Sequence, residues 1–238
     1  MNKETSTDQI GLIFEQQKLF KYKLRSSSAE EGIKKLYKLR ALIESHEDLI
    51  YAALEKDLRK SRSEAAISEV LFIYGEIAFA IRHLRKWMKP RKVGRSMTNF
   101  LAKSTITYQP KGMALIISPW NYPFQLTMSP LISAIAAGNC VILKPSEHSP
   151  FTSAVIGEIL TKGFDQRELA CIEGEQHVSE ALLALPFDHI FFTGSPAVGK
   201  LVMQAASRNL SSVTLELGGK SPVILDETAD LEMTAHKV

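Results

Sequence analysis

Residues 114–143 read ALIISPWNYPFQLTMSPLISAIAAGNCVIL and predict the fold of the chain. Ala114–Ile117 and Val141–Leu143 are short runs of apolar residues, which is typical of strands buried on both faces of a sheet. Phe124–Ala137, between them, has the length and the apolar content of a helix. A strand, a helix and a second strand make up the unit from which parallel sheets are built. The stretch therefore predicts an α/β fold.

The same alternation continues along the rest of the chain. Further strand-like runs lie at Ala170–Ile172, Ile190–Phe192 and Val223–Leu225, and helix-like runs lie at Phe151–Lys162, Val178–Leu185 and Ala197–Arg208. We therefore expect residues 112–238 to form a parallel Rossmann-like sheet with flanking helices. Ligands of such sheets bind at the carboxyl ends of the strands, so we expect the chemistry in the loops at those ends.

The part of the chain before this domain has a different character. Apolar residues recur at helical spacing over residues 1–90 and predict a helical N-terminal region that ends at Pro90. Residues 91–111 are interpreted as a connector that contains one strand, Thr105–Gln109. At the other end of the chain, Asp230 is suited to cap a helix that has barely begun when the sequence ends. We therefore expect the α/β domain to be incomplete.

Composition excludes several classes of protein. The 238 residues carry a formal net charge of +3, with 45% hydrophobic residues, 13 Gly and 10 Pro, which excludes collagen-like and disordered chains. The two cysteines, Cys140 and Cys171, form no metal-binding or disulfide pattern, so a reducing, cytoplasmic location is expected. We see no apolar segment of a secretory signal, and no stretch reaches the roughly 20 apolar residues of a membrane span.

Charge and histidine patterns favour neither a nucleic-acid nor a metal site. Seven Lys and Arg residues lie between Arg82 and Arg95, around Trp87. Because apolar Ile81 and Leu84 are interleaved with them, we interpret the segment as an amphipathic helix with a solvated charged face, and a nucleic-acid site is the alternative. The six histidines show no i,i+3 or i,i+4 pairing, so we expect no metal site.

The first candidate loop, Ser118–Pro123, follows the strand at Ala114–Ile117. Its two prolines stiffen the backbone and would hold the side chain of Asn121 in a fixed direction. An amide N–H aimed at a carbonyl oxygen is what an oxyanion hole requires, because negative charge grows on that oxygen in the transition state. The alternative is that Asn121 only caps the turn or the helix after it.

The second candidate loop, Lys144–Glu147, follows the strand at Val141–Leu143. A lysine and a glutamate three residues apart at a strand end could grip the two hydroxyls of a ribose, with the carboxylate accepting and the ammonium donating hydrogen bonds. The alternative is a helix-capping box formed by Ser146 and Glu147.

The third candidate loop, Phe191–Lys200, has the sequence FFTGSPAVGK. Gly194 follows a strand, and Ser195 and Pro196 open a helix whose N–H groups and positive end suit a pyrophosphate. The segment comes within one residue of the P-loop pattern. However, Leu201 stands where the Mg²⁺-binding hydroxyl is needed, so we do not expect a nucleotide-hydrolysing enzyme.

The fourth candidate loop, Val213–Pro222, has the sequence VTLELGGKSP. Gly218 and Gly219 permit a ligand to approach the backbone closely. Glu216 belongs to an apolar strand, so we expect apolar surroundings that raise its pKa, which suits a general base acting on water. The alternative is a glutamate on a solvated strand face.

Taken together and in this order, PWNYP, KPSE, FFTGS with VGK, and LELGGKSP resemble the motifs of the aldehyde dehydrogenase superfamily. They are most similar to its class 3 branch, which includes fatty and aromatic aldehyde dehydrogenases. The resemblance extends back over the helical N-terminal region. It implies oxidation of an aldehyde to a carboxylic acid with NAD(P), in which a Cys thiolate attacks the aldehyde, hydride passes to the nicotinamide, and water hydrolyses the thioester.

The resemblance also implies a role for each matched residue. Asn121 would stabilise the oxyanion, and Glu216 would activate the thiol or the water. The other matched residues would bind the cofactor, with Lys144 and Glu147 at the adenosine ribose, Gly194, Ser195 and Gly199 along the pyrophosphate, Val198 against the adenine, Leu217 and Gly218 at the nicotinamide, and Trp120 as a further contact. NAD is favoured because Glu147 would repel a 2′-phosphate, and NADP is the alternative because Lys144 could offset that repulsion.

The nucleophilic cysteine of that family has no counterpart in this sequence. In the family it lies in a loop after the helix that here begins at Asp230, so it would lie beyond the last residue. Cys140 and Cys171 are expected to pack as small apolar side chains. We therefore expect a truncated chain that is inactive alone, and a non-catalytic dinucleotide-binding or assembly module is the alternative. For the complete protein the resemblance implies a homodimer and an aldehyde substrate that is aromatic or aliphatic with a medium or long chain.

Overall fold

The computed structural model describes residues 5–94, 97–99 and 102–237. Its helices are α1 (Thr7–Leu24), α2 (Ala29–Ser45), α3 (Glu47–Leu58), α4 (Arg62–Ala65), α5 (Leu71–Met88), α6 (Gln125–Ala136), α7 (Pro150–Gly163), α8 (Gln176–Leu183), α9 (Pro196–Ser207) and α10 (Leu231–Lys237). Its strands are β1 (Arg91–Lys92), β2 (Thr105–Ile106), β3 (Met113–Ile117), β4 (Cys140–Lys144), β5 (Leu169–Cys171), β6 (His189–Gly194) and β7 (Ser212–Leu217). A π-helical turn, Ala66–Val70, joins α4 to α5, and a 3-10 turn covers Met97–Asn99.

Five of the strands form one parallel sheet in the order β5-β4-β3-β6-β7. Ile117 of β3 pairs with Lys144 of β4 and with Phe192 of β6, so the carboxyl ends of these strands lie at one edge. From β3 the chain runs outward through β4 to β5 and then returns to place β6 on the other side of β3. Doubly wound sheets bind their ligands at such a switch point. The parallel Rossmann-like sheet predicted from the sequence is confirmed.

Helices cover both faces of the sheet, because alternate residues of each strand point to opposite faces. Ile116 and Leu143 join one apolar core together with residues of α2, α3, α5, α6 and α7. Leu115 and Ile142 join a second core together with residues of α1, α8 and α9. Burial on both faces explains why these strands are continuous apolar runs in the sequence.

The N-terminal helices contribute to both layers. α1 lies on one face, where the buried side chain of Gln17 donates to the Val141 carbonyl of β4 at 3.1 Å. α2, α3 and α5 lie on the other face. α5 ends at Met88, two residues before Pro90.

The basic segment forms the last two turns of α5 and the strand after it. Leu84 is buried, whereas Arg82, Arg85 and Lys86 are exposed, so the charges form a solvated face as interpreted. Arg95 lies outside the described residues. Across the described ranges, no helix combines the length and the apolar character needed to cross a membrane.

Three predictions about individual strands and helices had different outcomes. Val223–Leu225 is not a strand, since Ile224 is 91% exposed and no strand of the described chain pairs with this run. Apolar composition does not make a strand unless a neighbour satisfies its backbone N–H and C=O groups. The strand predicted at Thr105–Gln109 is shorter in the structure, where β2 covers only Thr105–Ile106 and pairs with β1. Residues 95–96 and 100–101 of the connector lie outside the described ranges. Asp230 caps α10 as expected, because its Oδ1 accepts from the N–H of Met233 at 2.9 Å.

Candidate functional site

Three of the four candidate loops meet around one cavity at the carboxyl edge of the sheet. The cavity encloses about 670 Å³ and lies at the switch point between β3 and β6. Seven of the predicted site residues line it: Trp120 and Asn121 after β3, Gly194 and Ser195 at the end of β6, and Glu216, Leu217 and Gly218 at the end of β7. Loops that are far apart in the sequence are therefore neighbours in the fold.

The side chain of Asn121 is exposed at this cavity and forms no hydrogen bond with the residues that the structure describes. The first N–H groups of α6, those of Phe124 and Gln125, are bonded instead by Glu69 Oε2 at 3.0 and 2.9 Å. The interpretation of Asn121 as a helix cap is therefore wrong. Its amide N–H is available to a carbonyl oxygen in the cavity.

Lys144 and Glu147 form an ion pair after β4. Lys144 is buried, and about a third of the Glu147 side chain is exposed. Partial burial acts to raise the pKa of Glu147, but the hydrogen bond and the charge of Lys144 outweigh this effect, so the pKa lies below its usual value. Glu147 does not line the first cavity but a second one of about 660 Å³, together with Pro145 and Phe151.

The interpretation of this loop as a capping box is not supported. The hydroxyl of Ser146 accepts from the N–H of His148 at 3.2 Å and not from the first turn of α7. That turn is capped by Asp57 of α3, whose carboxylate accepts from the N–H groups of Phe151 and Thr152 at 3.2 and 2.7 Å. A side chain of the N-terminal helices therefore fixes the helix that follows the second candidate loop.

Loss of this cap should destabilise the chain. Asp57→Ala leaves two N–H groups of α7 without their acceptor, and we expect the free energy of unfolding to fall by about 1–2 kcal/mol. Urea unfolding followed by circular dichroism measures the change. Asp48→Ala is the control, because Asp48 is exposed and pairs with exposed Arg62, and its loss should stay within about 0.5 kcal/mol. An equally small loss for Asp57→Ala would contradict the cap.

The third loop begins α9. The hydroxyl of Ser195 accepts from the N–H of Val198 at 3.3 Å, and Pro196 is the first helical residue. One of the N–H groups expected to be free for a pyrophosphate is therefore already bonded. A Cβ on Gly199 would lie 2.8 Å from the Leu217 side chain, so this glycine lets α9 pack closely on β7. Val198 is 44% exposed and, like Gly199, lies outside the lining of the first cavity.

The expectation that Glu216 lies in apolar surroundings is wrong. β7 is the last strand at one edge of the sheet, and Glu216 and Leu217 at its end are exposed. Within the described ranges β6 is the strand that pairs with β7, which leaves the other side of β7 open to solvent. Glu216 lines the cavity as a solvated carboxylate.

Neither cysteine presents a thiolate to the cavity. Cys140 begins β4, at the end opposite to the candidate loops, and burial together with the charge of Glu168 raises its pKa to about 12. Cys171 lies in β5, and burial together with the charge of Glu173 raises its pKa well above the usual range. Thiols with raised pKa values are protonated at neutral pH and are poor nucleophiles. Both cysteines act as packing side chains, as predicted.

Sequence reasoning missed the charged residues that hold these loops from the N-terminal helical region, namely Asp57, Lys60 and Glu69. No local pattern marks them, because the backbone groups that they bond lie 55 to 95 residues away. The described ranges contain no group of three His, Cys, Asp or Glu side chains that could hold a metal ion.

The matches to a protein family and to individual relatives cover nearly the whole chain. The model described as "Aldehyde dehydrogenase family" matches residues 3–238. The putative aldehyde dehydrogenase AldX of Bacillus subtilis is 44% identical over 231 residues, which are 97% of this chain and 52% of that protein. The human aldehyde dehydrogenase family 3 member B1 is 44% identical over 214 residues, which are 90% of this chain and 46% of that protein.

Among solved structures, the substrate-bound state of Staphylococcus aureus AldH matches with a TM-score of 0.89 at 44% identity. The match covers 93% of this chain and 48% of that chain. The chain thus spans about half the length of the curated relatives it matches. The family 3 relative confirms the resemblance that the four motifs indicate.

Proposed function

Because this chain belongs to the aldehyde dehydrogenase family, we propose that it supplies the cofactor-binding and oxyanion-stabilising residues for the NAD(P)-dependent oxidation of an aldehyde to a carboxylic acid. The observation that carries the proposal is the cavity at the switch point, which is lined by Asn121, Glu216 and the turn of Gly194 and Ser195. An amide donor, a carboxylate and a helix N-terminus around one cavity are groups that this reaction needs.

Asn121 would act in the first bond-forming step. When a thiolate adds to the aldehyde carbon, the C–S bond forms and the carbonyl π electrons move to the oxygen. The exposed amide of Asn121 would donate a hydrogen bond to that oxygen and stabilise its charge. The proposal assigns the thiolate to neither Cys140 nor Cys171, because burial raises the pKa of both.

Glu216 is the proposed base of the hydrolytic step. Water attacks the thioester carbon and gives one proton to the Glu216 carboxylate, and the C–S bond breaks as the carboxylic acid forms. The exposed position of Glu216 supports this role, because water reaches its carboxylate directly.

The dinucleotide required by this proposal would lie along the carboxyl edge of the sheet. When bound, it accepts the hydride from the substrate carbon. Glu147 supports the fit, because it is ionised and partly exposed beside Lys144, as a ribose-binding carboxylate should be. The same charge favours NAD over NADP. The remaining proposed contacts are Trp120, Gly194, Ser195, Val198, Gly199, Leu217 and Gly218.

Calorimetry with the purified 238-residue chain tests the proposal. We expect saturable binding of NAD⁺ and a rise in the melting temperature. With an aldehyde added, we expect no NADH above a Glu216→Gln control, because the cavity receives no thiolate from Cys140 or Cys171. Absence of saturable binding would overturn the proposed cofactor role. Steady NADH production would overturn the statement that neither Cys140 nor Cys171 supplies the thiolate.

A charge-neutral replacement of Glu147 tests the ribose contact. Glu147→Gln loses an ionised acceptor, and we expect the Kd for NAD⁺ to rise about tenfold. Binding of NADP⁺ should be weakened less, since the repulsion of its 2′-phosphate disappears. Glu55→Gln makes the same chemical change on the exposed surface of α3 and should leave both constants unchanged. Equal changes in the Kd values for NAD⁺ and NADP⁺ would contradict the contact between Glu147 and the ribose.

The raised pKa values of both cysteine thiols favour one second candidate, a non-catalytic dinucleotide-binding or assembly module. The two candidates differ in whether a nucleophilic cysteine is encoded after Val238, which sequencing of the transcript decides. For a protein that contains this cysteine we propose a homodimer in the cytoplasm and an aromatic or medium- to long-chain aliphatic aldehyde as substrate. Phe72, Trp120 and Leu126 in the cavity lining support an apolar substrate.

A further inference from the structure

A buried ion pair contacts the loop that carries Asn121. Lys60 Nζ lies 2.5 Å from Glu69 Oε1, with Glu69 fully buried and Lys60 only 8% exposed. Glu69 belongs to the π-helical turn between α4 and α5. Such turns are rare and recur at functional sites. Neither member of the pair lines the cavity, so neither can touch a substrate there.

Both members of the pair bond the backbone of residues 121–125. Lys60 Nζ donates to the Asn121 carbonyl at 2.9 Å and lies 3.8 Å from the centroid of the Tyr122 ring. Glu69 Oε2 accepts from the N–H groups of Phe124 and Gln125 at 3.0 and 2.9 Å. Three hydrogen bonds from the N-terminal helical region therefore hold the segment that leads from β3 into α6.

Stability alone does not account for a pair of this kind. Removal of two charges from water is unfavourable, and well-packed apolar residues of the same volume are often at least as stable. A buried pair with further hydrogen bonds does select one geometry, because its bonds are satisfied in that geometry only. The geometry selected here is that of the backbone from which the Asn121 side chain projects.

We propose that Lys60 and Glu69 are positioning residues that fix the backbone of Asn121 and thereby aim its amide into the cavity. The inference deepens the proposed function and rests on it for the role of Asn121 as an oxyanion donor. The ammonium of Lys60 fixes the Asn121 carbonyl, and the carboxylate of Glu69 fixes the start of α6. Positioning of this kind matters to the reaction, because a displacement of about 1 Å can lower a rate about 100-fold.

Backbone relaxation measured by NMR on the 238-residue chain tests the inference. The double variant Lys60→Met/Glu69→Gln keeps side-chain volume, leaves no unpaired buried charge and retains an amide oxygen that can accept from α6. It removes the donor to the Asn121 carbonyl. We expect the ¹⁵N order parameters of Asn121 and Tyr122 to fall from about 0.85 to below about 0.6, while unfolding stays cooperative.

A second ion pair provides the matched control. Lys35 of α2 and Glu168, just before β5, form a partly buried pair away from the Asn121 loop. Lys35→Met/Glu168→Gln should leave the order parameters of Asn121 and Tyr122 unchanged. Unchanged values in the Lys60/Glu69 double variant would overturn the inference. Equal losses in the two double variants would also overturn it, because they would reflect general loosening of the chain.

Two further measurements keep the inference separate from folding and from cofactor binding. If the double variant does not unfold cooperatively, Lys60→Leu/Glu69→Gln, which also leaves no unpaired buried charge, is measured with the same fall expected, and failure of both variants to fold would overturn the positioning role. The Kd of the double variant for NAD⁺ should stay within about twofold of that of the wild type, because Lys144 and Glu147 are untouched. A larger change in this Kd would mean that the ion pair acts on cofactor binding. It would overturn the proposal that the pair acts by positioning Asn121. Absence of NAD⁺ binding by the wild type would refute the proposed function and leave the relaxation result standing.

Discussion

Phe124→Ala is expected to lower the free energy of unfolding by about 3–5 kcal/mol, because it leaves a cavity where α6 begins. Phe124 is fully buried and belongs to the core that joins α2, α5 and α6 to the sheet. Domains have a total stability of only about 5–15 kcal/mol, so this loss would leave the chain marginally folded. Urea unfolding, followed by circular dichroism, gives the difference between variant and wild type.

The matched control is Phe79→Ala on α5. The Phe79 side chain is 54% exposed and contacts the rings of His83 and Trp87 on the surface of the helix. We expect this variant to lose about 1 kcal/mol. If Phe124→Ala were no more harmful than Phe79→Ala, the burial of Phe124 would be contradicted.

Gly112→Ala is expected to lower the free energy of unfolding by about 2–4 kcal/mol. Gly112 has φ of +130°, which L-residues rarely adopt, and a Cβ there would lie 2.2 Å from Asp188 Oδ2. The same oxygen accepts from the N–H of Met113 at 2.7 Å and from Lys21 Nζ at 2.9 Å. The added methyl group must therefore strain the backbone and displace a carboxylate that anchors the start of β3.

The control variant, Gly75→Ala, is expected to change the free energy of unfolding in the opposite direction. Gly75 is exposed within α5, and a Cβ there would meet nothing within 4 Å. Gly75→Ala should raise the free energy of unfolding by about 0.5–1 kcal/mol, because alanine loses less backbone entropy in a helix. Melting temperatures of both variants measure the two effects. A stabilising Gly112→Ala would contradict the described backbone at the start of β3.

Local sequence is sufficient to predict the strands and helices whose own apolar pattern shows which side chains are buried. β3 and β4 are apolar runs that the sheet buries on both faces, and α6, α7 and α9 begin and end within one residue of the predicted bounds. The loops at the strand ends follow from the topology, since parallel strands bring their carboxyl ends to one edge. The gathering of Asn121, Glu216 and Ser195 around one cavity is therefore predictable.

What the sequence does not predict depends on partners that are distant along the chain. The local motif around Ser146 is compatible with a capping box, but the acceptor for α7 is Asp57 of α3. Val223–Leu225 has the composition of a strand and no partner within the described ranges. The exposure of Glu216 follows from the place of β7 at the sheet edge, which strand composition does not reveal.

The hydrogen bond from Gln17 of α1 to the Val141 carbonyl of β4 spans 124 residues of sequence. Ribosomes add about 5–20 residues per second, so the surface that receives α1 is synthesised roughly 6–25 s after α1 itself. During that interval the apolar side of α1, with Ile10, Ile13 and Phe14, has no sheet to cover it. α1 therefore depends on chaperones, or on its own solubility, until the centre of the domain has been made.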